Sequence, residues 1–191
     1  TLGTGAITET GGLNTINLNS NTLAANNTNI TTDFFNINAA PTGGAFTYTR
    51  SGGTLTVNDT LQLGGQANSG ANRVGNLNQN AGATVNVGNL TFGGAANTEG
   101  GTYNLFGGSL NVSGEIVEGA VGSPFSNVDA AQLHVDGGTL SVPNGDITVQ
   151  RFAVGQASGR TGTYTAVAGQ TITSTGTTAI GSSGTGTLDL S

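Results

Sequence analysis

The acidic residues are the first candidates for chemistry in this 191-residue sequence. Cleavage of a polysaccharide needs acids and bases clustered on one face of a fold. The carboxylates considered for this role are Asp33, Asp59, Glu115, Glu118, Asp129, Asp136 and Asp146. Glu115 and Glu118 are three residues apart, which on a strand directs them to opposite faces, whereas Asp146 could meet Asp136 near the corner after Pro143. Solvated turn acids explain this set better than a catalytic pair, so we predict no catalytic residues and no enzymatic activity.

His134 is the single histidine, within Leu133-His134-Val135, where alternation directs it away from its apolar neighbours. A metal site needs several converging ligands, and the sequence has no second His and no Cys. The glycine-rich segments lack the Lys of a phosphate-binding loop and a following helix. We therefore predict an exposed His134, no metal ligands, no cofactor-binding residues and no cofactor.

The composition limits the classes of partner. Only 7% of residues are charged and the formal net charge is −6, so no basic patch exists for a nucleic acid backbone. No apolar run approaches the roughly 18 residues that span a bilayer, which predicts no membrane insertion. The four basic residues leave few sites for trypsin-like proteases, which suits a secreted protein at the cell surface.

A recurring motif shows which elements must position these residues: two small residues, usually Gly-Gly, followed by alternating apolar positions. It occurs as Gly52-Gly53-Thr54-Leu55-Thr56-Val57, Gly82-Ala83-Thr84-Val85-Asn86-Val87, Gly107-Gly108-Ser109-Leu110-Asn111-Val112 and Gly137-Gly138-Thr139-Leu140-Ser141-Val142. A degenerate copy, Gly169-Gln170-Thr171-Ile172, suggests that Ile172 continues the row of Leu55 and Leu140. The motif stays fixed while its spacing varies, so we expect loops to absorb the difference.

The alternation directs Leu, Val and Phe to one face of each strand and Thr, Asn and Ser to the other. Because the same positions recur in each repeat, the fold class we predict is an all-β, right-handed parallel β-solenoid (β-helix). It would have roughly six coils with two or three short strands each. An up-and-down barrel or sandwich is the main alternative, but it does not require one motif in every period.

We expect one domain over residues 1–191, with looser N-terminal coils in 1–51 and regular repeats in 52–191. Both ends of the sequence are in the same phase of the repeat and carry no polar cap. This pattern predicts either a piece of a longer repetitive protein or subunits that stack head to tail.

Two phrases resemble a known family. They are Gly101-Thr102-Tyr103-Asn104-Leu105-Phe106-Gly107-Gly108-Ser109-Leu110-Asn111-Val112-Ser113-Gly114 and Ile180-Gly181-Ser182-Ser183-Gly184-Thr185-Gly186-Thr187-Leu188. They are similar to the glycine-rich repeats of bacterial autotransporter passenger-type and PEP-CTERM-associated surface proteins. The resemblance covers residues 52–191 and, more loosely, 1–51, and implies a secreted or surface-attached bacterial β-helix of a stalk or adhesive fibre.

The function expected from these observations is that of a non-enzymatic extracellular structural protein, a fibre, stalk or adhesin segment that associates end to end. The alternative is a carbohydrate-binding or polysaccharide-processing β-helix that contacts surface glycans. That alternative requires aromatic and acidic residues on one exposed face, and Tyr48, Tyr103 and Tyr164 occupy comparable predicted strands. Exposed tyrosines would favour it, and buried tyrosines would argue against it.

Overall fold

The computed structural model describes residues 7–8, 12–18, 27–37, 44–65, 73–93, 99–119 and 131–190. These ranges contain sixteen strands and no helix. Fourteen of the strands form one sheet and the other two pair with each other, and every pairing is parallel. The chain is therefore the all-β parallel β-solenoid that its repeat predicts.

In chain order the strands are β1 (Ile7–Thr8), β2 (Thr15–Leu18), β3 (Ile30–Ile37), β4 (Gly44–Arg50), β5 (Gly53–Leu63), β6 (Arg73–Gln79), β7 (Ala83–Phe92), β8 (Glu99–Leu105), β9 (Ser109–Val112), β10 (Ile116–Glu118), β11 (Gln132–Val135), β12 (Thr139–Ser141), β13 (Ile147–Val154), β14 (Thr161–Thr165), β15 (Ile172–Ile180) and β16 (Thr185–Asp189).

The strands stack into three faces. Face A contains β1, the first halves of β3, β5 and β7, then β9 and β12. Face B contains β2, the second halves of β3, β5 and β7, β10, and the first parts of β13 and β15. Face C contains β4, β6, β8, β11 and the second parts of β13 and β15. Near the C-terminal end β14 contacts β12 and pairs with β16.

One complete turn runs through faces C, A and B in that order. The described residues contain about five such turns, 44–63, 73–92, 99–118, 131–149 and 151–174, with incomplete turns at both ends. Long strands such as β5 and β7 cross the corner between faces A and B without a loop, and the ladder shifts register there, between Val57 and Thr60. A bulge of this kind bends a strand while its pairing continues on both sides.

The core is a stack of apolar rows, one for each face. The row of face A is Ile30, Leu55, Val85, Leu110 and Leu140. The row of face B is Phe35, Leu61, Leu90, Ile116 and Ile147. The row of face C is Tyr48, Leu77, Tyr103, Leu133 and Phe152. All of them are buried. The predicted stacking of positions 55, 85, 110 and 140 is confirmed.

The predicted place of Ile172 is wrong. Ile172 pairs with Ile147 on face B, whereas Leu140 lies on face A. The cause is β13, which runs from face B into face C as one strand, with only a register shift after Val149. In earlier turns the strands of those two faces are separate elements, such as β5 and β6. The Gly-x-Thr-Ile phrase marks a corner, but it does not specify which face follows the corner.

Close approach between turns makes Gly101 sensitive to substitution. A Cβ atom at this position would lie 2.2 Å from the carbonyl oxygen of Gly75 and 2.8 Å from Cβ of Leu63. We expect Gly101→Ala to lower the free energy of unfolding by about 2 kcal/mol, since overpacking forces the backbone to shift.

The control is Gly169→Ala. Its Cβ would meet no atom within 4 Å, although its φ of 82° adds strain of about 1 kcal/mol. Urea denaturation of both variants compares the two effects. Equal losses would contradict the close-approach explanation.

Candidate interaction surfaces

The described carboxylates mostly hold neighbouring turns together. Asp33 accepts hydrogen bonds from the backbone N–H of Asn14 (3.1 Å) and from Nδ2 of Asn58 (3.0 Å). These two bonds, with that of Asn58 the stronger influence, lower the pKa of Asp33. Asp146 accepts the N–H of Thr171 at 2.7 Å. Each of these acids therefore satisfies backbone or amide donors of adjacent turns.

Asp136 follows the same pattern, whereas Glu118 contacts β15, which lies beyond β13 on face B. Asp136 is buried and its Oδ1 accepts the N–H groups of Gln156 and Ala157 in the next turn. Glu118 accepts the hydroxyl of Thr175 at 3.0 Å, and partial burial raises its pKa.

The remaining sequence candidates add no cluster. Asp59 accepts the hydroxyl of the adjacent Thr60 at 2.8 Å, and Glu115 is exposed next to face B. Asp129 lies outside the described residues. Within the described ranges no group of three or more His, Cys, Asp or Glu residues is close enough to hold a metal ion.

The prediction that His134 is exposed is wrong, because the residue is only 8% accessible. Its side chain points outward from face C and continues a polar row of that face. Nδ1 lies 2.8 Å from Oδ1 of Asn104 and Nε2 lies 3.2 Å from Oε1 of Gln132. Burial lowers the pKa of His134 to about 4; the negative charge of Asp136 opposes this shift and the positive charge of Arg151 adds to it.

All three tyrosines lie in the core. Burial raises the pKa of Tyr48 and Tyr164, and it raises the pKa of Tyr103 furthest. Tyr48 and Tyr103 share the inward row of face C, whereas Tyr164 belongs to β14, which pairs with β16. The burial of these rings argues against a carbohydrate site built on exposed tyrosines, which is the form of that alternative predicted from the sequence.

Each tyrosine hydroxyl meets a polar side chain at a corner. Nη1 of Arg50 donates to Tyr48 at 3.0 Å. Tyr103 donates to Oε1 of Gln79, and Tyr164 donates to Oε1 of Gln170 at 2.6 Å. The sequence analysis did not predict these pairs. The signal that could have revealed them is the position of Arg50 and Gln79, since each polar residue comes shortly before a corner of small residues.

The same polar side chains also donate to backbone carbonyls. Arg50 donates through Nη2 to the carbonyls of Thr28 (2.9 Å) and Gly52 (3.1 Å). Gln79 donates to those of Ala83 and Ser109, both at 2.9 Å. The carbonyls in each pair come from different turns, so these buried polar groups fasten one turn to another.

The last turn of the described chain has an open interior. Ile180 and Leu190 are 42% and 68% accessible, whereas their counterparts in earlier turns are covered by the next strand. Val167, Ile172 and Leu190 line a hollow of about 550 Å³ at this end. β15 carries no charged residue and no proline along its free edge. Edges of this composition are open to pairing with another strand.

A second surface is a groove along the corner between faces A and B. Its volume is about 310 Å³. The outward-facing Thr56, Asn86, Asn111 and Ser141 form one wall, and Asn58, Gly88, Ser113 and Pro143 form the other. Three apolar residues also line it, Val57, Val87 and Val112. Among the residues that the structure describes, no charged one lines it. The groove therefore combines hydroxyl and amide groups, repeated from turn to turn, with an apolar surface.

Comparisons with known proteins found no matching family model, no matching curated protein and no matching solved structure. No helix long and apolar enough to cross a membrane occurs in the described part of the chain.

Proposed function

We propose that this protein is a non-enzymatic extracellular structural element, a segment of a fibre, stalk or adhesin. In this role the solenoid extends lengthwise when a further turn pairs with the free edge of β15. The resemblance of its glycine-rich phrases to autotransporter passenger-type and PEP-CTERM-associated proteins supports a location outside the cell.

The observation that carries the proposal is the uncovered last turn. The inward positions of β15 and β16 include Ile180 and Leu188, which continue the apolar rows of the turns below. Ile180 is 42% accessible and borders an uncharged edge strand. A further turn would remove this apolar surface from water and pair the free backbone groups, both of which stabilise the contact. Contacts that do not close on themselves build open filaments.

The regular interior supports a mechanical role. Successive turns are joined by parallel ladders, by apolar rows and by stacked amides such as Asn104 on Asn78 at 2.8 Å. Aligned amide ladders of this kind contribute to the stability of stacked strands. Because each turn contacts mainly its neighbours, the rod gains length without a larger core.

Negative-stain electron microscopy of the purified chain over a concentration series tests the proposal. We expect filaments of uniform width that lengthen as the concentration rises. Ile180→Lys should abolish this growth, because it places an uncompensated charge in the contact between β15 and the next turn. The matched control is Thr177→Lys, an outward-facing residue of the same strand, which should assemble normally. Short particles at every concentration of the wild-type chain would contradict end-to-end assembly.

A further inference from the structure

We propose that the groove between faces A and B binds a neutral, linear glycan chain that lies parallel to the solenoid axis. The groove is on the lateral surface, so this inference does not depend on end-to-end assembly. It spans four turns, from Thr56 to Ser141. At a strand spacing of about 4.8 Å its length is roughly 14 Å, and its volume of about 310 Å³ falls at the lower end of the range for small-molecule sites.

Unused hydrogen-bonding groups in the groove are the first argument. Asn111 donates from Nδ2 to Oδ1 of Asn86 at 2.8 Å. This bond leaves Nδ2 of Asn86 as a donor and Oδ1 of Asn111 as an acceptor, without partners among the described residues. The hydroxyls of Thr56 and Ser141 stand one turn beyond on either side, in the same row. Sugar hydroxyls both donate and accept, so they fit this mixed lining.

The repeat of these groups is the second argument. Because the register aligns Thr56, Asn86, Asn111 and Ser141, a polar side chain recurs once per turn along the groove. A linear polymer with a repeating unit can make the same contact at successive turns, whereas a compact ligand can use only one. The arrangement therefore favours a chain over an isolated sugar.

The neutrality of the lining specifies the class of glycan. A uronic acid polymer would need cationic partners, and no Arg or Lys of the described ranges lines the groove. At one end, Asn58 donates from Nδ2 to Oδ1 of Asp33 at 3.0 Å, so this nearby carboxylate already has a partner. At the other end, exposed Pro143 offers an apolar surface to the C–H groups of a sugar ring. These features favour a neutral glycan.

The chain contains a matched control for the amide pair. Asn104 donates to Oδ1 of Asn78 on face C at 2.8 Å, the same bond as that between Asn111 and Asn86. Neither Asn78 nor Asn104 lines the groove. Replacing either pair removes one amide ladder, but only the first replacement changes the groove. Val is suitable at all four positions because it is well tolerated in strands.

Affinity electrophoresis of the wild-type chain through gels containing dextran, hydroxyethylcellulose, galactomannan or xylan tests the proposal, with polygalacturonate as the charged comparison. We expect at least one neutral polymer to retard migration. Calorimetric titration with the matching oligosaccharide should then give binding that is about tenfold weaker for Asn86→Val/Asn111→Val. Asn78→Val/Asn104→Val should bind as the wild type does.

Two more variants test whether a loss of glycan binding comes from the groove itself. Ser141→Trp fills one end of the groove without breaking an amide ladder and should also weaken binding at least tenfold, while circular dichroism confirms that each variant is folded. Ile180→Lys, which tests end-to-end assembly, should bind normally. Retardation by none of the neutral polymers, stronger retardation by polygalacturonate, or equal losses in the two Asn-to-Val variants would overturn the proposal.

Discussion

Arg50→Ala is expected to lower the free energy of unfolding by about 4 kcal/mol. The arginine points into the solenoid, is fully buried, and donates to the hydroxyl of Tyr48 and to the carbonyls of Thr28 and Gly52. A hydrogen bond from a charged group contributes about 1.5–3 kcal/mol, and truncation also leaves a cavity and unsatisfied oxygens. Chemical denaturation measures the loss.

Two further variants identify the cause of this loss. Arg50 pairs in register with Gln79, which makes equivalent bonds one turn away, so Arg50→Gln should recover about half of the lost stability. Arg160 is exposed and stacks on Phe106 at 4.4 Å, so Arg160→Ala should cost about 0.5 kcal/mol. A loss for Arg50→Ala as small as that for Arg160→Ala would show that the buried bonds contribute little.

Acidification from pH 7 to pH 4 is expected to lower the free energy of unfolding by about 3 kcal/mol through His134 alone. Burial lowers its pKa from 6.5 to about 4 in the folded chain. Between these two values the unfolded chain binds the proton and the folded chain does not. The stabilising contribution of His134 is therefore fully present above pH 6.5 and is lost as the pH falls toward 4.

Comparison with His134→Asn isolates this contribution. Asn has no titrating group and suits the amide row that Asn78 and Asn104 begin. The raised pKa of Glu118 stabilises the folded chain as the pH falls, whereas the lowered pKa of Asp33 destabilises it as the pH falls through the region of 3.8. Both carboxylates remain in the variant, so their contributions to the pH dependence cancel when the two profiles are compared. Urea midpoints at half-unit pH steps should diverge below pH 6.5, and parallel profiles would contradict the assignment to His134.

Only one wall of the groove could be predicted from the sequence. The middle position of each motif, such as Thr56, Asn86 or Asn111, is polar between two apolar neighbours, which predicts an outward row. The concave corner beside that row was not predictable, because it depends on the bulge after Val57 and on small residues such as Gly88 opposite it. Curvature of this kind arises from strands in several turns at once.

The sequence by itself determined the fold class and the register of the central turns. Alternating Leu55 and Val57 after a Gly corner is a local pattern, and its repetition at Val85, Leu110 and Leu140 requires these residues to stack. Only the tertiary structure decided that Arg50 and His134 are buried and that Ile172 belongs to face B. The burial of a side chain depends on neighbours from adjacent turns, about 20 to 30 residues away in the sequence, whereas alternation specifies only whether it points inward or outward.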